Sequence, residues 1–97
     1  MSEVTEKASK VEIEIDIDAL AEAGIKSISD LATNTHHNVL FTISQQTAVL
    51  SGSNNLKVNT QAFGHIQIEN DLGEVIMAPQ HRVVKNVKVD GVEVWKK

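Results

Sequence analysis

Apolar and polar residues alternate over short runs of this chain, and that period predicts strands. Val11, Ile13, Ile15 and Ile17 fall on one side of an extended segment, with Glu12, Glu14 and Asp16 on the other. Side chains along a strand point to opposite faces in turn, so 11–17 reads as a half-buried strand with an acidic outer row. Residues 39–43, 47–50 and 56–58 are further strand candidates, each rich in β-branched or large apolar side chains. Residues 1–10 are polar and read as a mobile arm, and the Ser/Gly/Asn composition of 51–55 reads as a loop.

Two hairpins are spelled out by their turn residues. Asn70, Asp71, Leu72 and Gly73 suit a type I turn closed by a residue at positive φ, a conformation Gly takes without steric cost. The implied register sets Ile68 opposite Ile76 and Ile66 opposite Ala78 on a buried face. Glu69 with Val75, and Gln67 with Met77, fall on a half-wet one. Pro79, which has no N–H for the ladder, ends the second strand. Near the C-terminus, Asp90-Gly91 is a type I′ pair. It would set Val89 opposite Val92, Lys88 opposite Glu93, Val87 opposite Val94 and Asn86 opposite Trp95.

The one helical signal is short. Asp18 can cap residues 19–23, with Gly24 in the position that ends a helix, and Ser27 or Ser29 can open a second turn through Leu31 and Ala32. Residues 20–32 resemble one half of a helix-hairpin-helix unit, although the second Gly of that hairpin is absent. The resemblance implies a DNA phosphate contact at the Gly-led turn. The acidity of the neighbouring strand implies instead a capped connector over one end of the core. The expected fold is mainly β: a small antiparallel β-sandwich or barrel of about seven strands, with one short N-terminal helical connector, over a single domain 11–97.

Composition narrows the function classes. The 97 residues include no Cys, so neither a disulfide nor a thiol site exists. The first residues lack the build of a signal peptide, and no apolar run approaches the ~20 residues of a membrane span. A cytoplasmic protein without membrane partners is expected. The net charge of −4 argues against a general nucleic-acid binder. Charge is unevenly placed: residues 1–30 hold eight acids and three Lys, and 81–97 hold five Lys/Arg and two acids. Between Leu31 and Ile68 the only formal charge is Lys57.

No motif for catalysis, a metal or a cofactor stands out. His36, His37, His65 and His81 could gather as metal ligands, but no ligand spacing links them. Asp16 and Asp18 share a face, yet they continue the row of Glu12 and Glu14 and read as a solvated surface. Ser51 and Ser53 flank Gly52 without the context of a nucleophile or phosphate loop. Trp95 is either a plug on the core edge or an anchor for a partner.

The expectation is therefore a non-catalytic, self-assembling structural module, in the style of a small head or tail component of a bacteriophage virion. Copies, or other structural proteins, would meet through acidic Glu12, Glu14 and Asp16 and the basic hairpin with Arg82, Lys85, Lys88 and Trp95. The alternatives are an inhibitor or adaptor acting on one protein partner through 51–55 and Trp95, and a small enzyme or ligand binder with a His-lined pocket.

Overall fold

A computed structural model describes residues 4–32 and 39–97. In chain order the elements are β1 (Val4–Ile15), α1 (Ile17–Glu22), a 3₁₀ turn (Ile28–Leu31), β2 (Leu40–Ser44), β3 (Thr47–Ala62), β4 (His65–Glu69), β5 (Val75–Met77), a second 3₁₀ turn (His81–Val83), β6 (Val84–Val89) and β7 (Val92–Lys96). The seven strands form one antiparallel sheet in the order β5-β4-β3-β1-β6-β7, with β2 also paired to β3. The fold is mainly β and antiparallel with one short helix, as expected, and the sheet curls into an open half-barrel.

β3 is the spine. Its first part, Thr47 to Ser51, runs between β1 and β2, and its later part, Leu56 to Asn59, between β1 and β4. The inner face of the curl collects the alternating apolar rows: Val11, Ile13 and Ile15 from β1, Leu50, Leu56 and Val58 from β3, and Ile66 and Ile68 from β4. Leu20 of α1 and Ile28 close one end of this core.

Several local expectations are corrected. β1 begins at Val4, because its earlier residues pair with β3 around Val58 and Asn59. It ends at Ile15, because Asp16 turns the chain: the Asp16 side chain accepts the Ala19 N–H at 3.2 Å and caps α1. Asp18 is therefore inside the first helical turn, and Ile17, expected on the buried row, is exposed. Gly24 follows at φ +79 as the helix end predicted. After it comes a 3₁₀ turn, so the helix-hairpin-helix likeness does not extend to a second α-helix. Residues 51–55 belong to β3, where the partner of β1 jumps from Ser51 (opposite Lys10) to Leu56 (opposite Ala8). Such a bulge increases local twist and bend, which a curled sheet needs.

Both predicted hairpins form with a bulge each. Gly73 has φ +79, the Asn70 N–H donates to the Glu74 carbonyl, and the Asn70 side chain accepts from the N–H groups of Leu72 and Glu74. Glu69 faces Val75, but Ile68 faces Met77, so Met77 joins Ile76 in the core. In the last hairpin Asp90 and Gly91 both have positive φ, as a type I′ turn requires. Val89 faces Val92 and Lys88 faces Glu93, but the register then slips and Val87 faces Trp95.

Candidate functional site

The residues expected to mediate association lie on adjacent strands. β1 is flanked by β3 and β6, and its polar row points away from the core. Glu12 stands opposite Lys88, whose other neighbour is Glu93 on β7. Glu14 stands opposite Asn86; its two carboxylate oxygens accept from Asn86 Nδ2 at 3.0 Å and Gln46 Nε2 at 2.9 Å. The acidic and basic sequences thus meet within one molecule.

Asp16 ends this surface. Its Oδ2 accepts a 3.0 Å ion-pair hydrogen bond from Lys97 Nζ, which also donates to the Arg82 carbonyl at 2.6 Å. The Lys97 bond first, and then the Ala19 N–H, holds the Asp16 carboxyl below its ordinary pKa. Lys85, exposed on β6, adds a weaker electrostatic contribution. Arg82 turns outward and donates from Nε to Gln80 Oε1 at 2.9 Å.

Trp95 is half-buried and packs against the core cluster. Its indole stacks on the His81 ring, with centroids 4.9 Å apart and planes 17° from parallel. His81 Nε2 donates to the Thr60 carbonyl at 2.6 Å. This geometry places Trp95 as a plug at the β7 margin, with one ring face occupied. His65 is close in the fold, because His65 bridges to Gln80 and the His81 N–H donates to the Gly64 carbonyl. His36 and His37 lie outside the described residues. Among the described residues no group of three His, Asp or Glu side chains is placed to hold a metal.

Two features escaped the sequence reading. An open groove of about 250 Å³ runs between the end of α1 and the chain after β5, lined by Ala23, Ile25, Leu31, Pro79 and Val83 with Arg82 at its rim. It falls below the roughly 300–1,000 Å³ of most small-molecule sites. The other feature is Phe63, which with Gly64 forms the turn between β3 and β4. Phe63 has φ +51 and a fully exposed ring. A bulky side chain in the left-handed region is strained, and nothing in its residue type announces such a turn. Asp90 holds the opposite hairpin in place: its Oδ1 accepts from the N–H groups of Ser9 and Lys10, and its own N–H donates to the Lys10 carbonyl.

Among the described residues no helix is long and apolar enough to cross a membrane. No known protein family, curated protein or solved structure matches the chain.

Proposed function

We propose that the chain is a non-catalytic structural module that associates with copies of itself, as a small phage head or tail component would. The observation that carries this reading is the open sheet. Its outer strands β2 and β7 each have one neighbour among the described residues, and the sheet margin exposes Leu40, Ile43 and Val92. An open edge offers unpaired N–H and C=O groups to another strand, and exposed apolar side chains favour covering it. The charged surface of β1 and the β6–β7 hairpin is a second route. Glu14 and Asp16 already hold hydrogen-bond partners within the molecule, Glu12 stands opposite Lys88 in register, and Lys85 and Lys88 stay exposed.

Molar mass by light scattering after size exclusion, at low and high salt, tests the reading. A defined oligomer is expected. A mass that falls with salt assigns the contact to the charged surface, and one that persists assigns it to an uncharged edge. A monomer at every concentration and salt overturns self-association.

Phe63 favours a second reading, an inhibitor or adaptor acting on one protein partner. A strained backbone that presents an aromatic ring wholly to water is what a docking anchor needs. That protein would be a monomer whose partner is lost on Phe63→Ala.

A further inference from the structure

Most of the sheet margin is protected. β5 has three residues and a register shift, and Met77 is bridged by Ala32. β7 carries Glu93 and Lys96 and pairs with β6 through a bulge. Charge, brevity and bulges are the devices that keep edges from pairing. β2 has none of them. Its sequence, Leu40-Phe41-Thr42-Ile43-Ser44, has no charge, no Pro and no register shift against β3. Leu40 is 60% exposed and Ile43 43%.

The hairpin fixes which backbone groups of β2 have no strand partner among the described residues. Ser44 and Thr47 flank the two-residue turn of Gln45 and Gln46, and are therefore the hydrogen-bonded pair that closes it. Hydrogen-bonded and non-bonded pairs alternate along an antiparallel ladder, so Thr42–Val49 and Leu40–Ser51 are the next bonded pairs. Phe41 and Ile43 consequently direct their N–H and C=O groups away from β3. Their side chains share the inner face, since they stand opposite buried Leu50 and Ala48. A strand completing this edge must offer apolar residues on that face and no charge.

We infer that β2 pairs antiparallel with β2 of a second copy, about a two-fold axis through Thr42. In that register Phe41 faces Ile43 of the other copy, and the outward groups of each residue meet those of the other. An aromatic and a β-branched side chain form a favourable cross-strand pair. Thr42 faces itself in the closer, non-bonded position. Two copies of net charge −4 repel least where neither carries charge, and Lys57 is the only charge between Leu31 and Ile68. The inference rests on the self-association reading and specifies its contact.

The register predicts a charge-swap rescue. Thr42 is exposed, so Thr42→Lys and Thr42→Glu should fold as wild type by circular dichroism. Each alone would place like charges face to face and halve the wild-type mass, whereas an equimolar mixture would regain it. Because the chain has no Cys, Thr42→Cys gives an independent reading: rapid oxidation to a disulfide dimer, faster than Ser44→Cys. An oligomeric wild type whose mass is unchanged in both variants overturns the β2 contact and leaves self-association standing. Separate masses that fail to recover on mixing, or no preference for the Thr42→Cys disulfide, overturn the two-fold register. A monomeric wild type overturns both readings.

Discussion

The His81 imidazole covers one face of the Trp95 indole at 4.9 Å while its Nε2 holds the Thr60 carbonyl. The lone Trp of the chain therefore reports on the joint between β7, the 3₁₀ turn before β6 and the end of β3. Replacing His81 by Ala removes a stacked pair and a hydrogen bond, with an expected cost of about 1–2 kcal/mol in a urea titration. Trp95 emission should move to the red as water reaches the ring. His81→Phe keeps a ring in place and should move the emission less.

Asp90 joins the C-terminal hairpin to β1 through two backbone N–H groups, in a conformation with φ +49. Asp90→Ala should cost about 1 kcal/mol, since it removes two solvent-exposed hydrogen bonds and leaves Ala where Asp and Asn are favoured. Asp90→Asn keeps an acceptor oxygen and tolerates the same φ, so its urea midpoint should lie much closer to wild type.

Phe63 contributes no burial, yet its backbone occupies the left-handed region. Phe63→Asn should raise stability by about 1 kcal/mol, because Asn adopts that conformation readily and a strained residue costs on the order of 1–3 kcal/mol. A fall in stability would mean that the ring is covered in the species measured.

Asp16 links pH to stability. Its carboxyl pKa is depressed in the folded state, chiefly by the Lys97 hydrogen bond. The stabilisation is fully present above the unfolded-state pKa and is lost as pH falls through the folded one. Asn still caps a helix, so Asp16→Asn isolates the charge. Wild type should be the more stable at neutral pH, and the two urea midpoints should converge below about pH 4.

Turns were legible where the residue type itself carries the φ requirement. Asn70 with Gly73, and Asp90 with Gly91, announce their hairpins; Gln45 and Phe63 do not, although both have positive φ. Faces were legible because alternation is local, as in Val11, Ile13 and Ile15. Bulges were not, since the slips at Ile68/Glu69 and Val87/Lys88 answer to the curl of the whole sheet. The same division holds for the candidate surface. Lys88 opposite Glu93 follows from one turn, whereas Lys88 opposite Glu12 needs β1 to lie against β6, a long-range choice that no local pattern records. That β2 is a strand was readable; that it is an edge among the described strands was not.

The position of β1 between β3 and β6 also sets an order of events during synthesis. Val11 and Ile13 are made before either strand that flanks them: Ala48 and Leu50 follow on one side, and Val87 and Val89 later still on the other. Local pairings such as β2 with β3 and β6 with β7 can close within microseconds, whereas the two long-range seams of β1 close by slow, high-contact-order steps. One side of β1 therefore stays without its partner strand until β6 has been made. Glu12 and Glu14 on that segment act as gatekeepers, keeping it from pairing with its neighbours on the polysome until β6 arrives.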